Sequence, residues 1–286
     1  MTFGRYVGNI SSRFDATELM AQLASVPQWL DAGQVLPLSD GHDQVLKSDL
    51  VMGGQAVSVA IKVFGRQSLF KDWFDRRNGS KAARSYHAGA FLYQKALGTA
   101  EPIAWLDRWD DGRLVESYYL CIHVAAPCFR DALIQIYEQE QNNAGMMALL
   151  HKVAPALRRL HEAGFMHGDL GNQNILVPKS SAGTYLEPLF IDLNRSQYAS
   201  APLGDRERAH DLARIALPGA YLDIFKMIYN HHQNLPEPLA WLEKKARKRF
   251  WGHRRRSRFR HPIRFLKRLR QGQPASPYPS DKDLWL

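Results

Sequence analysis

Between residues 165 and 177 the chain reads Phe-Met-His-Gly-Asp-Leu-Gly-Asn-Gln-Asn-Ile-Leu-Val. His167, Asp169 and Asn174 stand at the spacing of a phosphoryl-transfer loop, in which the aspartate orients and deprotonates an attacking hydroxyl and the asparagine holds a metal. Fifteen residues past Val177, Asp192 closes the apolar run of Phe190-Ile-Asp-Leu-Asn-Arg195. An acid there suits Mg²⁺ bridging nucleotide phosphates, because hard cations take oxygen ligands. Upstream, Val59-Ala-Ile-Lys62 places a lysine on a β-branched run, where it can contact the α- and β-phosphates of ATP. No G-x-G occurs, so the phosphate-binding turn reduces to Gly53-Gly54, whose backbone N–H groups are the candidates for phosphate contact.

Each piece alone is weak, since an aspartate near a glycine is usually a turn and a strand lysine is usually solvated. In the order strand, loop, loop and strand they make a coherent site. The surrounding pattern supplies that context. Val45 to Phe64 reads as two strands around Gly53-Gly54, and Trp105 to Val124 as a hairpin turning at Asp110-Asp-Gly112. Lys81 to Leu97, Arg130 to Gln141, Met146 to Glu162 and Asp205 to Leu217 read as helices, the third with Leu149, Leu150, Val153, Leu157 and Leu160 on one stripe. Asp15-Ala-Thr-Glu18 caps a short leading helix with Leu19, Met20, Leu23 and Val26 on one face and Pro27 at its end. Asn174 to Val177 and Leu189 to Leu193 are short apolar runs.

These residues give the chain a resemblance to the lipopolysaccharide kinase (Kdo/WaaP) family of the protein-kinase-like superfamily, covering roughly residues 43 to 270. The wording His-Gly-Asp-Leu, then Asn-Ile-Leu, Ile-Asp-Leu-Asn-Arg195, and Arg206-Glu-Arg-Ala-His-Asp-Leu-Ala-Arg214 before a basic C-terminus carries it. The resemblance implies an α+β, bilobal kinase-like fold with a β-rich N-lobe, a helical C-lobe and a basic helical extension. The expected division is a helical lead-in at 1–42, an N-lobe at 43–126, a C-lobe at 127–240 and a basic aromatic tail at 241–286. It also implies transfer of phosphate from ATP, with Mg²⁺, to a heptose or Kdo hydroxyl of the lipopolysaccharide inner core. Asp169 would be the catalytic base, Lys62, Gly53, Gly54, Asn174 and Asp192 the nucleotide contacts, and Asn174 and Asp192 the metal ligands. Asp211 would brace the catalytic loop and His167 would organise it. One departure stands out: between Lys81 and Lys95, where a kinase supplies the glutamate that pairs with the strand lysine, there is no acid. Lys62 must find another carboxylate or work unpaired.

Composition sets the outer limits. With 45% hydrophobic and 23% charged residues, the 286-residue chain is globular, and two cysteines cannot build a disulfide framework. The longest stretch free of Asp, Glu, Lys and Arg, Ser117 to Phe129, is too short to span a bilayer, and the N-terminus lacks a secretory apolar region. The net charge of +10 is concentrated: fourteen Lys or Arg and no acid lie between Lys244 and Arg270, leaving the remainder at −4. Interleaved with Trp241, Phe250, Trp251 and Phe259, this tail is expected either to pack on the body as a helix or to contact an anionic membrane surface or glycolipid, the latter placing the protein peripherally at the cytoplasmic face of the inner membrane. Nucleic acid is disfavoured, because no zinc spacing, RNA-binding aromatic signature or helix-turn-helix is present. The histidines read as ordinary polar positions, and Cys121 and Cys128 as buried small residues. Two other readings stay open: a protein or small-molecule kinase of the same fold, and a nucleotide-binding pseudokinase scaffold in envelope biogenesis.

Overall fold

The computed structural model describes residues 2–14, 16–31, 36–39, 43–65, 69–140 and 143–260. Up to Ile122 the elements are β1 (Thr2–Phe3), β2 (Tyr6–Ile10), α1 (Ala16–Ala24), α2 (Val26–Asp31), β3 (Leu36–Ser39), β4 (Gln44–Met52), β5 (Gln55–Val63), α3 (Leu69–Asn78), α4 (Lys81–Gln94), β6 (Pro102–Asp110) and β7 (Arg113–Ile122). The strands form one antiparallel sheet in the order β1-β2-β6-β7-β5-β4-β3. The turns are those the sequence predicts: Gly53 and Gly54 have φ of 58° and 75°, and Asp111 and Gly112 have 43° and 79°. Positive φ at both central residues is what a tight two-residue hairpin requires.

Alternation along β5 sends Val59 and Ile61 into a core shared with Leu19, Leu23 and Val26 of the N-terminal helices. Removing one such buried leucine side chain costs about 2–5 kcal/mol. The first forty residues are more than a helical lead-in. Tyr6 and Ile10 point into the same core while Val7 to Ile10 pair with Ala104 to Asp107 of β6, an alternation the sequence reading passed over. Two local expectations change. Met20 is exposed, not on the buried stripe, and Pro27 lies in the first turn of α2, where its missing N–H breaks no helical hydrogen bond. The Asp15 cap lies outside the described residues.

Further along are α5 (Phe129–Ile134), a π-helix (Gln135–Glu140), α6 (Asn143–Glu162), β8 (Phe165–Met166), a 3-10 turn (Asn172–Asn174), β9 (Ile175–Leu176), β10 (Leu189–Phe190), a second 3-10 turn (Leu193–Arg195), β11 (Gln197–Tyr198), α7 (Asp205–Leu212), α8 (Gly219–Tyr229) and α9 (Glu237–Arg260). Two compact units emerge: the chain up to Ala126 together with Leu189–Ser196, and Pro127–Pro188 together with the chain from Gln197 on. In the second unit the stripe of α6 is buried as its period predicts. Gly164 follows it at φ 79°, and a Cβ there would fall 2.3 Å from the Ala199 carbonyl oxygen. Helix α7 is shorter than expected because the carbonyls of Leu212 and Ile215 accept from Arg247 of α9, at 2.7 Å each. Leu239 and Glu243 of α9 are buried, so the start of the basic tail packs on its unit. The tail from 261 on lies outside the described residues. No helix among the described residues is long and apolar enough to cross a membrane.

One buried acid in the first unit makes stability pH-dependent. Asp107, on β6, is 3% exposed, and its Oδ1 has no hydrogen-bond partner among the described residues. Burial pushes its carboxyl up to about 6, with Ser80 and Ser117 only partly opposing it. An acid raised in this way favours the folded state below its unfolded value near 4, and that contribution is lost as pH rises through 6. Asp107→Asn should therefore flatten the fall in unfolding free energy between pH 4 and pH 7, removing on the order of 3 kcal/mol of it. Urea midpoints across that range check this, and an unchanged slope in the variant would assign the effect elsewhere.

Candidate active site

In the first unit, Lys62 near the end of β5 makes an ion pair with Asp192. This is the carboxylate it was left to find in the absence of an acid on α4. Asp192 Oδ1 also accepts from Asn194 Nδ2 at 2.6 Å, which locks its side chain to the turn that follows. Its backbone is left-handed, φ 63° and ψ 52°, a conformation that Asp and Asn tolerate better than most residues. Helix α4 holds this turn with a cation: Arg84 donates to the Asn194 carbonyl at 3.1 Å and pairs with the buried Asp75 at 2.9 Å.

Gly53 and Gly54 are not brought to Lys62. They sit at the opposite end of β5, some eight residues away, roughly 26 Å along a strand. Their N–H groups point to the Glu18 carboxylate of α1, at 2.8 and 3.5 Å, while Gln22 clamps both backbone groups of Val51 at 2.8 Å. The assignment of this turn to phosphate is therefore corrected. A single α1 side chain satisfies the amides of this turn, and the residues opposite Lys62 are Val45 of β4 and Tyr119 of β7. Residues 40–42, which precede β4, lie outside the described residues.

The second unit carries the loop from Phe165 to Val177. Buried Asp211, from α7, accepts the backbone N–H of His167 at 2.7 Å and of Gly168 at 3.0 Å. Asp169 N–H in turn donates to His167 Nδ1 at 3.3 Å. Asn174 Nδ2 donates to the Asp169 carbonyl at 2.8 Å, which leaves its carbonyl oxygen as the atom of the type a hard cation takes. Asn172 clips the loop to the backbone of Ala216 through two hydrogen bonds, at 2.6 and 3.1 Å. The loop is thus fixed from three sides, with the Asp169 carboxylate still partly exposed.

Two groups behind this loop escaped the sequence reading. His161, read as an ordinary polar position, is fully buried; Tyr229 OH lies 2.8 Å from its Nδ1, and its Nε2 lies 3.5 Å from Asp211. Burial lowers its pKa, and the Asp211 carboxylate beside Nε2 works against that shift. Burial alone would raise the Asp211 pKa, but the hydrogen bonds from His161 and His210 reverse this and hold it below the usual carboxylate range. Arg214 is the second: its guanidinium lies 3.1 Å from Asp169 Oδ1, 3.2 Å from His210 Nε2, and stacks 4.6 Å from the Phe250 ring centre. A chain of contacts thus runs from Asp211 through His210 and Arg214 to Asp169. The sequence held two signals: Arg206 to Arg214 is part of the family wording, and on a continuous helix residues 210, 211 and 214 would share a face.

The cysteines play no part in this chemistry. Both are half-buried rather than buried, and burial pushes the Cys121 thiol up to about 12, which keeps it protonated.

A lysine paired to a distant aspartate on an antiparallel sheet, and a second aspartate on a braced loop, are the parts expected of a kinase-like site in a mixed α/β chain. Residues 129–218, which span the loop, Asp211 and Arg214, match the model of the Lipopolysaccharide kinase (Kdo/WaaP) family. The family resemblance read from the sequence is borne out, and it implies an ATP-dependent phosphotransferase acting on a sugar hydroxyl. Among solved structures the chain is similar to one described as WaaP in complex with acyl carrier protein. The two share 22% identity and a TM-score of 0.53, over 77% of this chain and 91% of that one, a likeness of fold. No curated protein matches the chain.

Proposed function

We propose that this protein phosphorylates a hydroxyl of a heptose or Kdo sugar in the lipopolysaccharide inner core, at the cytoplasmic face of the inner membrane. The observation that carries the reading is the Asp169 loop. It lies in the segment that matches the family, it is held by backbone bonds to a buried anion, and its carboxylate has a fixed direction. Positioning of this kind is most of what a phosphoryl-transfer enzyme contributes.

In this reading the Asp169 carboxylate takes the proton of the acceptor hydroxyl as that oxygen bonds to the γ-phosphorus, and the bond from phosphorus to the ADP oxygen breaks. Lys62 supplies a point cation to the α- and β-phosphates, for which it must exchange part of its contact with Asp192. Asp192 and Asn174 carry the oxygen donors that Mg²⁺ prefers, and the ion when bound would neutralise phosphate charge. Arg214 holds the Asp169 carboxylate in place through its ion pair. The basic tail would hold the enzyme on anionic lipid, where each Lys or Arg contributes about 1 kcal/mol near the surface.

Incubation of the full chain with ATP, Mg²⁺ and dephosphorylated core oligosaccharide should add one phosphate to the sugar, read by mass. Phosphate on added protein substrates instead, with none on sugar, would move the reading to a protein kinase, and no transfer at all would favour the pseudokinase. In parallel, anionic vesicles should retain the protein at low salt and release it at high salt, since surface attraction is screened within a Debye length. Failure to bind them would remove the membrane arm.

A further inference from the structure

The start of the basic tail and α7, the helix that carries the Asp211 brace, line an open cavity. It lies wholly within the second unit, between α7 and α9, and has a volume of about 830 Å³. Four cationic side chains line it, Arg206 and Arg214 on one wall and Lys245 and Arg249 on the other, with the His210 and His253 rings beside them. Among the described residues no aspartate or glutamate lines it. Trp241, 59% exposed, and Phe250 supply broad apolar faces beside those cations, with Lys245 Nζ 4.7 Å from the Trp241 ring centre and the Arg214 guanidinium against Phe250. One lining residue reaches the catalytic loop, since Arg214 is ion-paired with Asp169.

Packing does not account for this set. Where α9 needs an anchor it has one, with Arg247 on the carbonyls of Leu212 and Ile215, and Lys226 of α8 3.1 Å from buried Glu243. Lys245 and Arg249 lie on the exposed side of the same helix. Arg214 has Asp169 as its counter-charge, while Arg206, Lys245 and Arg249 face the cavity with no acid on its described lining, and cations gathered in this way raise the local potential and draw an anion. Aromatic faces beside them suit the apolar face of a pyranose ring, as an exposed tryptophan can offer both apolar area and a polar edge. A cavity of this size takes a small ligand, not a polymer track.

We propose that this cavity binds a saccharide bearing an anionic group, phosphate or carboxylate, and that Arg214 is shared between that group and Asp169. This deepens the phosphotransferase reading and rests on it for the role of Asp169. The anion would sit among Lys245, Arg249 and Arg214, and the sugar ring would lie on Trp241. Arg214 is then a positioning residue: an occupied cavity shares its guanidinium, and the freed oxygen of Asp169 can turn to a hydroxyl of the same saccharide.

The test is calorimetric titration of the full chain with glucose 6-phosphate, glucuronate, glucose and inorganic phosphate. One or both anionic sugars should bind at least about tenfold tighter than glucose and than inorganic phosphate, and the comparison of the two says whether phosphate or carboxylate is preferred. Lys245→Gln combined with Arg249→Gln, both exposed positions, should weaken the anionic sugar about tenfold with the melting temperature unchanged. Arg214→Lys, which keeps the charge but loses the fork, should weaken it while glucose stays where it was. Equal binding of glucose and the anionic sugars, or a double variant that melts and binds as the wild type does, overturns the proposal. So does a short oligonucleotide that displaces the sugar with higher affinity, since that marks a general polyanion surface. ATP titrated into the same sample separates the two readings. Nucleotide binding without sugar binding removes the cavity alone, and sugar binding without nucleotide binding removes the phosphotransferase and leaves the cavity.

Discussion

Replacing Asp169 with alanine should slow phosphoryl transfer by about 10²- to 10⁴-fold, the loss typical for a positioned base, while ATP affinity stays close to that of the wild type. The carboxylate faces Arg214, and the nucleotide cation Lys62 is paired elsewhere, with Asp192. A change confined to Asp169 therefore leaves the charges proposed to grip phosphate in place. Folding should also be little affected, because a partly exposed ion pair such as Asp169 with Arg214 contributes about 1 kcal/mol or less. Single-turnover rates and nucleotide titrations on the same preparation separate these effects. A variant that keeps more than about a tenth of wild-type turnover would take the base role away from Asp169.

Asp211→Asn should act on both stability and rate, for a different reason. The carboxylate is fully buried and accepts two backbone N–H groups of the catalytic loop, with His161 and His210 also turned toward it. An amide of the same shape can accept with one arm only, and its NH₂ faces a donor. Leaving one buried N–H without its charged acceptor costs roughly 3 kcal/mol at neutral pH. Because the Asp211 pKa is held down in the folded protein, its contribution is present above the unfolded value near 4 and is lost as pH falls through the lower folded value. The gap in unfolding free energy between wild type and variant should thus be widest at neutral pH and close in acid. Denaturant titrations at pH 7 and below pH 4 read it directly. A gap that does not change with pH would mean that packing at this position matters and its charge does not.

These two aspartates also show what a linear sequence discloses. Asp169 was legible because the chemistry of a loop is written in consecutive residues: His167, Asp169 and Asn174 interact through backbone groups only a few positions apart. Lys62 and Asp192 were each legible from local context, Lys62 near the end of one apolar run and Asp192 just past another. Their mutual ion pair was not, since 130 residues separate them and nothing in either neighbourhood specifies the other. The role of Arg214 was hidden for the same reason, and so was that of His161, whose ring looks like any helix histidine until Tyr229 and Asp211 close on it. Gly53 and Gly54 mark the opposite failure. Their turn geometry was read correctly, but a hairpin tip tells nothing of which end of the sheet it occupies, and Glu18 of α1 fills it. Strand β2 was missed because five residues with a glycine at the centre carry a weak alternation that becomes meaningful only beside β6.

That last pairing bears on how the chain can be shortened, by proteases in a cell or by hand in the laboratory. A version starting at residue 43 would keep every residue that the catalytic motifs name. It would also strip β2 from β6, turning an interior strand into a bare rim of unpaired N–H and carbonyl groups, the kind of rim on which chains stack into aggregates. The same cut would take Leu19 and Leu23 out of the core and leave the amides of Gly53 and Gly54 without Glu18. The first forty residues thus act as a sealed hem on the sheet, and a trimmed chain would fray from that side before the motifs could act.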